Sequence, residues 1–510
     1  MTSTVTKSFR IHNARQFKEA FSEQNDTKMY LFIAREKEWD TPSSPPAIGD
    51  SVQLTEYDAY RNMIAAKKIV EADVEFGIPR VNWESGTVYH EYQNKDTDLY
   101  ANNFYVVNDS FDVYKCIFNN NGNASTVEPT AQLPDATFVT SDDYQWKFMY
   151  SISSAEQEKF VNDTFVPIKE VTTDDGSQQF SVQQAAANGA IGAIDVGTPG
   201  SGFKRNQSTF FSVANSTTFV ANTTANATPG IFTDSFIFIK AGTGAGQVRR
   251  IINWAGATRT LTVNTAFSVV PDVNSTYLIG PAVTITGDGE GALGYADVNG
   301  DGGIANVTLI SSGVNYSKAN TVISANGGSG ASAQTYLAPF GGHGSDPVKE
   351  LGGHNIIINV RLDSEDFDNL ANADFRTIGL LKDPLLANGS ISNNNVLNMT
   401  TRLDLIGKSG SFAEDERILG ATSGATGRVV VFANNDTNGT LGELSLVELE
   451  GTFTNTETIT ANNSGTTATI NGITASETLD FSGEVLYLEN LQKVQRAEDQ
   501  TEDIKLVIRF

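Results

Sequence analysis

"SFAEDERILGATSGATGRV" spans residues 411–429, and "TFTNTETITANNSGTTATI" spans residues 452–470. An offset of 41 residues lays one over the other. Phe412 then meets Phe453, Glu416 meets Glu457, and Ile418 meets Ile459. Ser423-Gly424 meets Ser464-Gly465, Thr426 meets Thr467, and Val429 meets Ile470. Neither copy carries a catalytic-looking residue. In each, Phe and Ile supply a small core and Ser-Gly supplies a tight turn between strands. Two copies are too few for a solenoid, which needs about three. The pattern predicts paired hairpin modules forming a small β-sandwich or a pair of packed sheets.

A second, fainter repeat lies upstream at an offset of 113. Ile191, Ile194 and Val196 meet Ile304, Val307 and Leu309. Gly200 then meets Gly313, and Phe203 meets Tyr316. Each copy reads as a short strand, a Gly-containing turn and an aromatic anchor. Between them, residues 242–267 read as a further strand-turn-strand unit.

Outside these regions the chain is conventional. Asn13, with Gln16 three residues on, reads as the cap of a first helix, and a second helix starts near Thr55. "MYLFIA" (29–34), "NFYVV" (103–107), "FDVYKCIF" (111–118), "NIIINVRL" (355–362) and "DFRTIGLLKDP" (374–384) read as strands, the last stopped by Pro384. "DIKLVIRF" (503–510) alternates, with Ile504, Leu506, Ile508 and Phe510 on one face, and is expected to be tied into a sheet. Trp83, Trp146 and Tyr150 read as core anchors.

The fold class that follows is mainly β with some α: an antiparallel-sheet or β-sandwich scaffold interrupted by Gly/Thr/Asn-rich β modules. The scaffold occupies 1–175, 346–395 and 481–510. The insertions are 176–345, with its internal repeat, and 396–480, with the duplicated phrase.

Composition excludes several functions. Sixty acidic and 35 basic residues give a net charge of −25, which repels phosphate backbones and anionic membrane surfaces. A single cysteine, Cys116, rules out an internal disulfide framework and a thiolate metal cluster. The N-terminus lacks an apolar signal core, and no run reaches the ~18 apolar residues of a membrane span. The expectation is a protein folded in a reducing cytoplasm, with no membrane insertion and no nucleic-acid partner.

The search for chemistry returns little. "GEGALG" (289–294) matches a dinucleotide fingerprint, but "YADVNGDGG" after it cannot open the helix a pyrophosphate needs. "GKS" (407–409) lacks the upstream glycine of a phosphate loop, since Arg402 stands there. In "DVNGDGG", Asp297, Asn299 and Asp301 alternate as calcium ligands do, and Gly302 allows the turn, but Thr308 replaces the bidentate Glu. An Asx-rich β-turn is the first reading there and a calcium site the second. His12, His90, His343 and His354 form no zinc spacing, and no GxSxG elbow occurs. The expectation is a non-enzyme with no cofactor.

Several phrases, in order, carry a family resemblance: "PRVNW" (79–83), "VYKCIFNNNGNASTVEPT" (113–130), "DDYQWKFMYSI" (142–152), "FVPIKEV" (165–171), "DFRTIGLLKDP" (374–384), "EVLYLEN" (484–490) and "DQTEDIKLVIRF" (499–510). They resemble the baseplate wedge subunit encoded by gene eight of T-even-type contractile-tailed phages. The resemblance covers the scaffold, about half the chain. The insertions are similar instead to modules of tail and baseplate proteins of related phages, notably those of cyanobacteria. "GGHGSDPVKELGGHNIIINVRL" (341–362) is similar to a phrase shared among such virion proteins. The resemblance implies a late structural protein of the virion, assembled in the host cytoplasm. It implies a homodimer that bridges other baseplate wedge proteins at the tail end, without catalysis. The competing reading is a tail-fibre or spike adhesin module that binds host surface glycan.

Overall fold

The computed structural model describes residues 4–23, 27–49, 51, 54–325, 327–363, 366–367, 370, 372–435, 439–497 and 499–510. Strands outweigh helices, 44 % against 11 %, and the sheets are antiparallel, so the fold is mainly β with some α. Contacts divide the chain into two units. One holds Met1–Gly77, Ala155–Pro167 and His354–Phe510; the other holds Ile78–Ser154 and Ile168–Gly353. This division differs from the one drawn on composition. Residues 78–154 cluster with the Gly-rich stretch because Ile117 packs with Ala193 and Tyr336, while Val182 enters the core of Tyr114 and Trp146.

In the first unit, five strands lie in the order Val396–Asn398, Met63–Lys68, Met29–Ala34, Asp374–Lys382 and Glu484–Gln495. Met29–Ala34 is buried along its whole length, which its unbroken apolar run anticipates. In a second sheet, Asn355–Leu362 pairs with Glu502–Arg509 on one side and, through 355–358, with 74–77 on the other. The first helix is Lys7–Ser22, so Asn13 lies inside it and is not its cap. Thr6 is the cap, its Oγ1 accepting from Phe9 N–H at 3.2 Å. The buried stripe of this helix starts at Ile11, ahead of Asn13, which carries the helix upstream.

The duplicated phrase does not form a sandwich or a pair of packed sheets. Its two copies share one closed six-stranded barrel, in the order Thr401–Ile406, Leu441–Glu450, Thr426–Asn434, Arg417–Gly420, Thr458–Ala461, Thr467–Thr474. Closure comes from pairing the last strand of the second copy with the first strand of the first copy. Two register positions reveal the symmetry. Leu403 pairs with Leu444, and Leu419 pairs with Thr460. Each is paired with its own repeat equivalent, so a pseudo-two-fold axis passes through both points. The core is the shared pattern itself: Phe412 and Phe453, Ile418 and Ile459, Val429 and Ile470.

The repeated Glu and Ser-Gly now acquire a reason. Glu457 accepts hydrogen bonds from Thr422 N–H at 3.0 Å and from Ser423 N–H at 2.9 Å, in the other copy's turn. Glu416 accepts from Ser464 N–H at 3.0 Å and Ser464 Oγ–H at 3.1 Å, in the opposite direction. Each copy therefore caps the other's turn with a carboxylate. Burial raises the Glu457 pKa, but the amides of Thr454, Ser423 and Thr422 outweigh it and hold the group at about 2, below its ordinary 4.5. A depressed carboxylate stabilises the fold above pH 4.5 and loses that contribution as the pH falls toward 2. E457Q is expected to cost about 1.5–3 kcal/mol at neutral pH, and E416Q a similar amount. The two turns share no partners, so the losses should add. Hydrogen exchange at the barrel-core amides of Leu403, Ile418, Ile459 and Ile470 reads this out. A double variant no worse than either single would refute the reciprocal capping.

The second unit repeats the device on a larger scale. Ile191–Ser201 pairs with Ser329–Leu337, and Ile304–Val314 pairs with Glu290–Val298, so the strand that opens each copy pairs with the strand that closes the other. Gly200 and Gly313 take φ of +65° and +62°, and a Cβ on either would come within 2.5 Å of a neighbouring backbone nitrogen. Phe203 and Tyr316 anchor the shared core. Residues 206–280 form a separate seven-stranded sheet around Phe219, Ile237, Trp254 and Tyr277. That sheet is inserted within the first copy, and it produces the offset of 113. Past the insert the offset falls to 39, which lays Gly291 over Gly330; a Cβ on Gly291 would lie 3.8 Å from Gly313, and one on Gly330 would lie 3.8 Å from Gly200.

Candidate functional site

The second unit holds a buried cluster of titratable side chains. Lys115 lies on the strand Asp112–Asn119 and Lys147 on Tyr144–Ser151, and the two are cross-strand partners. Side chains of such partners share a face of the sheet. Lys115 is fully buried and ion-pairs with Glu350. Glu350 ends the short helix Pro347–Glu350, within the phrase "GGHGSDPVKELGGH". Its carboxylate also accepts from Gly344 N–H at 2.8 Å and from Asp346 N–H at 3.3 Å. Gly344 takes φ +89°, and a Cβ there would strike Val182 at 2.4 Å, so glycine is required for this loop to reach Glu350.

Aromatic and imidazole rings close the cluster. The Lys115 ammonium lies 4.8 Å from the Tyr92 ring centroid. His343 stands edge-on to the same ring at 5.1 Å. Burial, with Lys115 and Lys147 nearby, pushes the His343 imidazole well below its ordinary range, so it is neutral. Burial and the Lys115 charge push Lys147 down to about 8. Lys147 Nζ–H donates to the Pro134 carbonyl at 2.7 Å. An open groove of about 750 Å³ adjoins the cluster, lined by Asp135, Thr137, Gln145, Lys147, Ser311 and His343. Neither His343 ring nitrogen has a hydrogen-bond partner, so no nucleophile is paired with it. Cys116 is buried and burial raises its thiol, which leaves it inert. The arrangement offers polar groups for binding along the groove.

The first unit contains a buried ion network at the barrel. Arg35, fully buried, pairs with Asp374 of the sheet and with Asp415 and Glu414 of the barrel. Arg428 pairs with Asp415 at 2.7 Å and Glu448 at 3.1 Å, and donates to Asn62 Oδ1 at 2.6 Å. Arg376 reaches Asp374 at 2.8 Å and Asp415 at 3.3 Å. Beside the network, a cavity of about 540 Å³ is lined by Glu36, Trp39, Asp58, Asn62, Arg417 and Glu448. Burial pushes Glu36 up to about 7.

The residues singled out in the sequence fall elsewhere. Asn299 and Asp301 lie in the turn between Glu290–Val298 and Ile304–Val314, and Asp297 lies on the first of those strands. Asn299 Oδ1 accepts from Asp301 N–H at 3.0 Å and Gly303 N–H at 2.9 Å, which is the Asx-turn arrangement. Among the described residues, no group of three or more His, Cys, Asp or Glu side chains is placed to hold a metal ion. His90 contacts Asp96 at 2.6 Å and His354 contacts Lys7 at 3.4 Å. Trp146 and Tyr150 are buried, while Trp83 is half-buried. "GEGALG" runs into a strand, with no helix after it. Among the described residues, no helix is long and apolar enough to cross a membrane. The lysine cluster went unread in the sequence. Its signal was a lysine inside each of two apolar runs, "VYKCIF" and "QWKFMY".

No protein-family model matches the chain, and no curated protein matches it.

Proposed function

We propose that the chain is a non-catalytic structural subunit of a contractile-phage tail baseplate, a wedge component that bridges neighbouring wedge proteins. The observation that carries the reading is where the family-like phrases fall. "DFRTIGLLKDP" and "EVLYLEN" supply adjacent strands of one sheet, and "DIKLVIRF" pairs with "NIIINVRL" in the other. These phrases thus supply paired strands of the first unit, and on this reading the duplicated cassettes add bulk and contact surface. The subunit assembles in the host cytoplasm and resides in the virion, at the baseplate. The second reading, a glycan-binding adhesin module, draws on the hydroxyl, amide and acid groups around the His343 groove.

Light scattering after size exclusion separates the two. A stable dimer at 109.6 kDa, twice the 54.8-kDa chain, is the expected mass. A stable trimer overturns the wedge reading and favours the adhesin. A monomer is compatible with a wedge only if co-expressed wedge proteins drive dimerisation, and failure there rejects it.

A further inference from the structure

We infer that the first unit carries a docking groove for a basic, apolar segment of another protein, built around Phe481. The groove encloses about 440 Å³ between the helix Leu54–Asn62, the barrel strand Leu441–Glu450 and the turn at Phe481. Met63 and Leu446 are buried residues lining it. Its rim is aromatic and exposed: Tyr57 is 54 % exposed and Phe481 51 %. The Phe481 ring stands edge-on to Tyr57 at 5.3 Å and to Tyr60 at 5.9 Å. Leu449, 36 % exposed, extends the apolar surface. Tyr, Phe and Met are residue types enriched where proteins meet.

Phe481 is held there against local preference. Its φ is +57°, a left-handed conformation that bulky residues rarely adopt. Gly483 lies two residues on, at φ +86°, so this turn uses glycine where the backbone needs it and still places Phe at 481. The strained residue presents half of a phenyl ring to solvent, where burial returns little. Strain kept at an exposed aromatic is the pattern of a contact residue.

Charge decides the occupant. Glu450 and Asp480 line the groove, and Glu56 and Glu484 lie close enough to Tyr60 to add to burial in raising its phenol. Arg61 is the lining cation, and it already pairs with Glu450 at 3.4 Å. Glu448 is taken by Arg417 and Arg428. Glu450 also lies 3.6 Å from Arg417, and Glu484 pairs with Lys382 at 3.4 Å. Asp480 and Glu56 leave the field acidic, so a second copy of this chain, at −25, meets repulsion here. The fitting occupant is a segment with one or two large apolar side chains flanked by Lys or Arg. The inference does not depend on the baseplate reading.

The test titrates the purified full chain with a fluorescent peptide bearing two Leu residues among Lys, and with two controls: Glu for Lys, and Ser for Leu. Binding of the Lys/Leu peptide is expected, at least tenfold tighter than either control. F481G and D480K should each weaken it at least tenfold. F481G also relieves the left-handed strain, so its melting temperature should equal or exceed that of the parent. Absence of Lys/Leu binding, unchanged affinity in F481G, or equal binding of the Ser control overturns the inference. A lower melting temperature in F481G makes the ring a packing residue and overturns it too. Loss of a dimer in F481G assigns the groove to a second copy instead. Dimer mass with no peptide binding rejects the groove and leaves the baseplate reading standing.

Discussion

K115M is expected to destabilise the second unit by about 3–5 kcal/mol, the cost of leaving one member of a buried ion pair uncompensated. Lys115 has no solvent to fall back on, and Glu350 is as deeply placed, its side chain 2 % exposed. Glu350 keeps the Gly344 and Asp346 amides in this variant, but its charge loses the ammonium. In the double variant K115M/E350Q neither member of the pair carries a charge, and the Gln carbonyl still accepts those amides. Most of the loss should therefore return. E350Q alone should resemble K115M at neutral pH, with a distinctive pH response. Burial already lowers the Lys115 pKa below 10.5, so the unfolded chain binds that proton more tightly than the folded one. Stability of E350Q should then rise with pH toward 10.5, as the buried ammonium becomes neutral. Urea denaturation followed by tryptophan fluorescence reports on this sheet through Trp146. A K115M loss under about 1 kcal/mol, or no recovery in the double variant, rejects the pair as a structural keystone.

The sequence carried what depends on short-range pattern. The run "MYLFIA" reads as a buried strand because all its residues are apolar, and "NIIINVRL" has the observed bounds of its strand. Both repeats were visible because Phe, Ile and Gly positions recur at fixed spacing. What escaped was long-range. Barrel closure rests on pairing 402–406 with 469–474, and no local signal distinguishes that partner from the strands of a sandwich. The exchange of Glu416 and Glu457 between copies was hidden for the same reason, since each carboxylate serves a turn in the other copy. The helix start was misplaced by a local competitor: Asn13 is a good cap, but Ile11 and Ala14 have a buried surface to meet, and packing overrides the cap. Lys115 carries no signal of its own because a lysine in a strand ordinarily faces water, and only the fold brings Glu350 across a long separation to meet it.

R428M should release the barrel from its sheet while leaving the barrel folded. Two copies that match in their cores differ at the edge that faces the sheet. Asp415 and Arg428 belong to the first copy, and their equivalents in the second are Thr456 and Thr469. Glu414 likewise corresponds to Asn455. The charges are therefore not part of what makes the cassette fold, since the second copy folds without them. They are what mounts it. Arg428 is central because it touches Asp415 and Glu448 within the barrel, and Asn62 and the Arg35 carbonyl outside it. Methionine fills similar space without a charge; Asp415 keeps Arg35 and Arg376, and Glu448 keeps Arg417, so the loss is that of Arg428's hydrogen bonds to charged groups, about 3 kcal/mol. T469V, the same operation on the uncharged copy, should stay within about 0.5 kcal/mol. Hydrogen exchange distinguishes mounting from folding. In R428M, amides around Arg35 and Asp374 should lose protection while those of Ile418, Ile459 and Ile470 keep it. If the core amides are lost together with the others, the charges hold the barrel itself together, and the division between a symmetric core and an asymmetric mount fails. If it holds, one edge of a duplicated cassette has been given to the scaffold. Its uncharged counterpart, with Asn455, Thr456 and Thr458 exposed, stays outside the network.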